Sequence, residues 1–304
     1  MATEITLSNG VKMPIFGLGT WQAKEGEVAA ALRIALENGY RLIDTATAYK
    51  NEAEIGAVLQ EFFKAGKLKR EDVFITTKLP WNSNREEDVE PLIRQSLKLL
   101  QLDYIDLYLI HMPAGLTRDM SKVDNSVKLE DVWRGMETIY DKKLARAIGV
   151  SNTNAEQLER LQKKRSNSDS QQPSRMSLVV QSRVFKVQKR LNISLTAYAP
   201  LEAFFFKEKH SSPLENEIVK TLAKKHSKTP AQILLRHLVQ RGICVIPKST
   251  NEKRLKENAD IFNFSLSDDE IHQLNSVPQE SRFFWLEFME GSNEDPFKDE
   301  RNKI

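Results

Sequence analysis

Eight short apolar runs, each followed by an amphipathic stretch, predict an α/β fold of parallel strands closed into a (β/α)8 TIM barrel behind an N-terminal β-hairpin. Three observations carry this. The period switches repeatedly between that of a buried strand and that of a helix, which implies right-handed crossovers between parallel strands. Eight repeats suit closure. No Gly-x-Gly-x-x-Gly opens any helix, as an open dinucleotide-binding sheet would require. The 304 residues are expected to form one domain over 1–304, because barrels of this class run to about 250 residues or more.

The hairpin is read from Ile5-Thr-Leu and Val11-Lys-Met around Ser8-Asn-Gly10, with Asn9 and Gly10 both expected at positive φ in a tight primed turn. Strand Ile15 to Gly19 then leads into a helix whose inner face carries Val28, Leu32, Ala35 and Leu36, closed by Gly39. Strand Arg41 to Asp44, a helix from Asn51 to Ala65 and strand Val73 to Thr77 follow, and a third helix buries Val89, Leu92, Ile93, Ser96 and Leu100. The alternation continues with strand Ile105 to Ile110, helix Leu129 to Tyr140, strand Ala145 to Val150 and helix Ala155 to Leu161. Strands Leu178 to Val180, Ile193 to Ala197 and Ile243 to Ile246 complete the eight, with helices near Glu215 to His226, from Pro230 to before Gly242, and from Asn251. The segment 163–192 is irregular. It is polar and repetitive at Lys163 to Ser177, and about a dozen residues between Val180 and Ile193 are short for a crossover with a helix, so the sixth βα unit is expected to be truncated.

Composition narrows the function classes. The 45 Lys+Arg against 42 Asp+Glu leave a charge of +3, and the basic runs Lys67-Leu-Lys-Arg70 and Lys163-Lys-Arg165 carry no aromatics, so nucleic acid is not an expected partner. No run approaches the roughly 18 apolar residues of a membrane helix, and the start has no basic segment followed by an apolar one. The single Cys244 lies in the apolar run Ile243-Cys-Val-Ile246, excludes a disulfide framework and suits a reducing compartment. A cytoplasmic monomer is the expectation. The five His residues show no metal-ligand spacing, so no metal is expected.

Barrel active sites form at the carboxyl ends of the strands. There the sequence places Asp44, Lys78 and His111, each at the end of a consecutive strand, with Tyr49 in the loop five residues past Asp44. Neighbouring strands are about 4.8 Å apart, so these side chains can converge. A phenol is a poor acid at neutral pH, and an ammonium beside it lowers its pKa by stabilising the phenolate. Lys78 is expected to do this to Tyr49, Asp44 to keep Lys78 charged and oriented, and His111 to donate to an oxygen as negative charge develops there. A proton donor beside an oxyanion site is what carbonyl reduction needs. A Schiff-base aldolase using Lys78 would leave Tyr49 and His111 unexplained.

A second constellation follows the last strand, at Ile246-Pro-Lys-Ser-Thr-Asn251 with Arg254 and Asn258 beyond. Ser249, Thr250 or Asn251 can cap a helix whose amino end favours an anion, and Lys248 and Arg254 bracket that end with positive charge. Phosphate commonly binds at the loops after strands seven and eight of such barrels.

These residues fall within longer matched text: Gly17-Leu-Gly-Thr-Trp21, Ile43-Asp-Thr-Ala46 with Tyr49 and Asn51-Glu52, Thr77-Lys78, His111-x-Pro113, Ala147-Ile-Gly-Val-Ser-Asn152, Leu195-Thr-Ala-Tyr-Ala-Pro-Leu201, Ile246-Pro-Lys-Ser249 and Asp295-Pro-Phe297. On them the chain resembles the aldo-keto reductases, NADPH-dependent carbonyl reductases on a (β/α)8 barrel, and within them the aldose and aldehyde reductase-like branch. The resemblance covers nearly the whole chain except about 163–192. It implies that Tyr49 is the general acid, assisted by Lys78, Asp44 and His111, with hydride from NADPH. It also implies cofactor contacts at Thr20, Trp21 and Asp44, at Ser151, Asn152 and Gln181 on the carboxamide, and at Tyr198 stacked on the nicotinamide. Leu201 would lie near the pyrophosphate and Lys248, Ser249, Arg254 and Asn258 around the ribose 2′-phosphate. Two cations at that phosphate favour NADP(H) over NAD(H).

The chain departs from the family pattern at the sixth strand, where Val179-Val-Gln-Ser-Arg-Val-Phe185 lacks the usual Glu and His, and at Ala199 and Glu202 after the seventh. These departures define the alternative: a catalytically impaired NADPH-binding scaffold or sensor on the same fold. Trp21, Trp81, Met112 and Trp285, with Phe283, Phe284 and Phe288, form the expected substrate wall, an aromatic surface suited to small apolar aldehydes and ketones. Phe204-Phe-Phe206 is expected to serve packing.

Overall fold

A computed structural model describes residues 3–166, 176–179, 190–201, 212–277 and 285–301. The chain opens with β1 (Glu4–Thr6) and β2 (Lys12–Pro14), paired antiparallel with Ile5 opposite Met13. Their turn differs from the one expected: Gly10 alone of Asn9 and Gly10 has positive φ, at 86°. The Leu7 amide donates to the Val11 carbonyl and the Leu7 carbonyl accepts from the Gly10 amide, both at 2.8 Å, which makes a three-residue loop with a left-handed glycine in place of a two-residue primed turn. Asn9 instead spends its side chain on the Arg146 carbonyl at 2.8 Å and on the Val11 amide.

Eight parallel strands follow: β3 (Leu18–Gly19), β4 (Leu42–Asp44), β5 (Phe74–Leu79), β6 (Ile105–Ile110), β7 (Ala145–Ser151), β8 (Met176–Val179), β9 (Ser194–Tyr198) and β10 (Cys244–Ile246), hydrogen-bonded in chain order. The ends meet. Gly17 donates to Val245 O at 2.9 Å and Val245 to Ile15 O at 3.0 Å, with parallel bridges Phe16 to Val245 and Gly19 to Lys248. The seam is tight: a Cβ on Gly19 would stand 2.6 Å from the Ile246 carbonyl oxygen, so only glycine lets the first and last strands approach this closely. The sixth strand is in place, parallel to both neighbours with Leu178 opposite Val150 and Leu195. It starts two residues before the expected Leu178, and its crossover through 180–189 lies outside the described residues.

Among the described residues the helices of two turns or more are α1 (Glu27–Glu37), α2 (Glu52–Lys64), α3 (Glu86–Leu100), α4 (Leu129–Asp141), α5 (Ala155–Ser166), α6 (Glu217–His226), α7 (Pro230–Gln240), α8 (Glu252–Ala259) and α9 (Asp268–Ser276). Their apolar stripes bury against the barrel as the periodicity predicts, Val28, Leu32, Ala35 and Leu36 on α1 and Val89, Ile93, Ser96 and Leu100 on α3. Leu92 is only half-buried, and Leu97, not expected in the stripe, is buried with it. Caps set the entries: Thr229 and Gln232 form a reciprocal capping box with Pro230 at the first position of α7, and Ser267 and Glu270 form another on α9. Cys244 is fully buried in β10, and burial pushes its thiol up to about 12. No described helix is long and apolar enough to cross a membrane. The result that matters for chemistry is the register: Asp44 lies opposite Gly19 and Thr76, and Lys78 opposite Leu109, at one rim of the cylinder.

Candidate active site

Alternation along β5 turns Thr76 and Lys78 one way and Thr77 the other. Lys78, only 3% exposed, is therefore carried into the barrel mouth, where its Nζ meets Asp44 Oδ1 at 2.6 Å. Asp44 is the last residue of β4, also buried. The same ammonium donates to the Thr45 carbonyl at 2.8 Å and to the Tyr49 hydroxyl at 3.3 Å. Tyr49 stands on a short 3-10 turn, Thr47–Tyr49, which Thr47 ties down by donating to the Lys78 carbonyl oxygen at 3.2 Å. His111 directly follows β6, its ring edge-on to Tyr49 with centroids 5.6 Å apart and to Trp81 at 5.2 Å. Its Nδ1 is buried without a hydrogen-bond partner among the described residues. The four residues singled out from the sequence are brought together.

Their electrostatics differ from expectation in one respect. Burial pushes the Tyr49 phenol up from its ordinary value, and the pull of Lys78 does not overcome it. Lys78 moderates the shift; it does not reverse it, because a phenolate loses more by leaving water than one ammonium at 3.3 Å returns. For Lys78 itself burial works downward, but Asp44 and Tyr49 outweigh it and hold the ammonium above its ordinary range. Asp44 is raised by burial and drawn back by Lys78. His111 is held well below the usual imidazole range by burial and by the Lys78 charge, so it is neutral at physiological pH.

The expected cofactor residues occupy adjacent strand ends. Thr20, 1% exposed, binds the Asp44 carbonyl through both its amide and its hydroxyl, while Trp21 beside it is 39% exposed. Ser151 ends β7 and is buried with Asn152. Asn152 sits at φ 59°. Its amide is engaged within the protein: Nδ2 donates to the His111 carbonyl at 2.9 Å and faces Met112 Sδ and Ser151 Oγ, and Oδ1 accepts from the Tyr198 hydroxyl at 2.7 Å. Tyr198 closes β9 and Leu201 packs half-buried on the core. Lys248 pairs with Gly19 across the seam, which sets the last constellation beside Thr20. Asn251 caps α8 by accepting from the Arg254 amide at 3.0 Å, Ser249 and Asn258 are buried, and the Lys248 and Arg254 side chains reach solvent. Gln181 lies outside the described residues, as do Glu202, Phe204 to Phe206, Phe283 and Phe284.

One wall of the mouth is apolar. Met112 packs with Ala114, Met289 and Phe297, with Trp81 and Trp285 against them, and Phe288 stacks on Trp81 at 5.5 Å. The carboxyl-terminal segment is moored from below: Gln157 and Arg160 on α5 bind Glu294, and Asn154 donates to the Pro296 carbonyl at 3.1 Å. Residue-by-residue reading gave no part to Thr45, Asn84 or Glu294. Asn84, fully buried, donates to the carbonyls of Met112 and Ala114 and fixes the loop beyond His111. A polar residue between a strand end and a helix start is the signal that would have drawn attention to it.

Against known proteins, the family model for the aldo/keto reductase family matches residues 15–278. The chain belongs to the aldo/keto reductase family. It is 39% identical over 303 residues to aldo-keto reductase family 1 member A1 of Bos taurus, covering 93% of this chain and 91% of that protein. To member A1-A of Danio rerio it is 38% identical over 298 residues, covering 93% and 92%. The solved structure of the aldose reductase from Schistosoma japonicum superposes with a TM-score of 0.87 at 38% identity, covering 98% of this chain and 99% of that one. Membership places the protein among oxidoreductases of carbonyl compounds, and the barrel described above is the family's fold.

Proposed function

We propose that this aldo/keto reductase reduces small apolar aldehydes and ketones with NADPH, as a cytosolic monomer, using Tyr49 as proton donor. The observation that carries the reading is the contact of Lys78 with both Asp44 and Tyr49 in a buried mouth, with a neutral imidazole beside the phenol. NADPH, when bound, supplies the hydride that adds to the carbonyl carbon.

The chain's own residues do the rest. The carbonyl oxygen, negative as the carbon is reduced, takes the Tyr49 proton, and the phenolate left behind is stabilised by the Lys78 ammonium until solvent restores the proton. Asp44 prevents Lys78 from losing its charge on burial. His111, as a neutral imidazole, has one N–H to give the same oxygen. Trp21, Trp81, Met112 and Trp285 exclude water and accept an apolar substituent.

The residues present suit an anionic dinucleotide. Lys248 and Arg254 face solvent at a capped helix end and form no ion pair among the described residues, so their charge is free to meet a phosphate. Ser249 and Asn258 would complete that cradle, and Thr20, Ser151, Gln181, Tyr198 and Leu201 the nicotinamide and pyrophosphate side. Asn152 Oδ1 already accepts from the Tyr198 hydroxyl and has a second lone pair with which to accept from the carboxamide. The scaffold alternative rests on the departures at the sixth and seventh strands; the sixth strand pairs with both neighbours, and the alternative is separated from the enzyme by the test below.

The test is NADPH absorbance with a panel of aromatic aldehydes. The native protein should oxidise the cofactor, and Tyr49→Phe should lower kcat by about 10²–10⁴ while tryptophan quenching still shows NADPH bound. Equal rates for both proteins would overturn the assignment of Tyr49, and tight binding without turnover would favour the scaffold.

A further inference from the structure

Asn51 stands at the amino-terminal cap of α2 and does not cap it. Asparagine is among the best capping residues because its side-chain oxygen accepts from the first free amides of the helix, yet no such bond forms here and the backbone, at φ −119° and ψ 6°, is outside the extended conformation of a capping residue. The side chain is turned inward. Its Oδ1 accepts from the Thr45 hydroxyl at 2.6 Å and its Nδ2 donates to the Thr20 carbonyl at 3.0 Å. Thr20 in turn holds the Asp44 carbonyl through its hydroxyl at 2.9 Å and its amide at 3.2 Å. Asn51, Thr45, Asp44 and Thr20 thus form a closed ring joining the ends of β3 and β4, its members between 0% and 6% exposed.

This ring bears on the reacting group through one atom. An ammonium has three N–H donors, and those of Lys78 have three acceptors: the Asp44 carboxylate, the Thr45 carbonyl and the Tyr49 hydroxyl. The carboxylate is the stronger attractor, so a free ammonium would settle on it. What stops that is the second, fixed acceptor at Thr45, which leaves only one direction for the third N–H. We propose that Asn51 is a positioning residue: by locking Thr45 it fixes the carbonyl that aims the third N–H of Lys78 at Tyr49. The inference rests on the reading of Tyr49 as proton donor for its catalytic meaning, but the geometry it asserts can be measured without turnover.

Asn51→Ser is the informative variant. Because Asn51 gives α2 no capping bond, serine there takes none from the helix, while its short hydroxyl cannot span Thr45 and Thr20. With protein carrying ¹³Cζ-tyrosine, the Tyr49 resonance, identified by its absence in Tyr49→Phe, is followed against pH in native protein and in Asn51→Ser. The expected result is an upward displacement of the Tyr49 titration by about half a pH unit or more, since the phenolate loses its nearest cation, with an unchanged far-UV spectrum. Steady-state rates should show kcat reduced about tenfold at neutral pH with KM for the aldehyde changed less than twofold. Thr45→Val, which removes the other end of the same bond, should give the same displacement, and the double variant no more than either alone. Coincident Tyr49 titrations in folded native and Asn51→Ser protein would overturn the proposal. If the native protein reduces no carbonyl, the functional reading falls and the titration still decides the clamp.

Discussion

Lys78 donates to the Tyr49 hydroxyl at 3.3 Å, the longest of its three bonds, and both groups hold their protons past their ordinary ranges. That coupling fixes the expected pH dependence. Reduction needs the phenol protonated, and the shift of Tyr49 is upward, so the protonated fraction persists beyond a free phenol's pKa of about 10. His111 is displaced well below the usual imidazole value, so it contributes no titration near neutrality. kcat for reduction should be flat from about pH 6 to about pH 9 and fall only in the strongly alkaline range. A limb centred near pH 6.5 would show instead that His111 titrates in the working range. Replacing Lys78 by Met removes the one cation pulling the phenol down, so kcat should drop by about 10² or more.

The phosphate cradle gives a selective prediction. Lys248 and Arg254 are solvent-exposed and would meet only the ribose 2′-phosphate, so Lys248→Ala and Arg254→Ala should each weaken NADPH binding about tenfold or more, as loss of a charge-assisted bond of about 1.5–3 kcal/mol requires. NADH, which lacks that phosphate, should bind all variants alike. Fluorescence titration with both cofactors at fixed ionic strength checks it; equal losses for the two would place these cations elsewhere.

How far this site was legible in the sequence depends on how local its determinants are. Asp44 ends β4, Lys78 is the last residue but one of β5 and His111 directly follows β6, and the period of two with a shared register is enough to converge them. The strand positions follow because each apolar run is bounded by turn residues, while the ends differ by a few residues, as at β3, β5 and β8. The turn at Gly10 departs from the primed form because Ser8-Asn9-Gly10 also suits a three-residue loop, in which Asn9 reaches the Arg146 carbonyl, 137 residues away. The phenol shifts in the direction opposite to the one expected because burial is a property of the assembled mouth and appears nowhere in a local motif. Asn51 enters the sequence reading only as the start of a helix and as part of the matched text, because its partners, Thr45 and Thr20, are set by the meeting of β3 and β4.

Away from the site, Glu270 links α6 to α9. Burial works to raise its carboxyl, but Lys225, the Ser267 amide and His226 together hold it down to about 2. A depressed carboxyl stabilises the fold above its unfolded pKa of about 4.3, and that contribution is lost as pH falls toward 2. Glu270→Gln should therefore destabilise the protein at pH 7 by about 1.5–3 kcal/mol. The deficit should shrink below about pH 4.3. Urea unfolding of both proteins at pH 7 and pH 4 measures this; a deficit independent of pH would mean that shape, and not charge, is what Glu270 supplies.

Phe288 stacks on Trp81, which is itself edge-on to His111, so the carboxyl-terminal segment reaches the reacting centre through two rings. Phe288 is 37% exposed, and truncating it to Ala removes little from the folded core while taking away one face of the apolar wall. The melting temperature should therefore hardly move. For a bulky aromatic aldehyde, lost apolar contact should raise KM several-fold, in line with about 1–2 kcal/mol for part of an aromatic surface. A two-carbon aldehyde, too small to reach that wall, should show no change in either constant. Glu294→Ala offers the complementary case, since it leaves every ring intact and releases the mooring to Gln157 and Arg160. It should reproduce the KM effect on the bulky substrate without altering the small one. If both substrates lose kcat equally in either variant, the segment supports the catalytic groups themselves, and its part in selecting substrates must be given up.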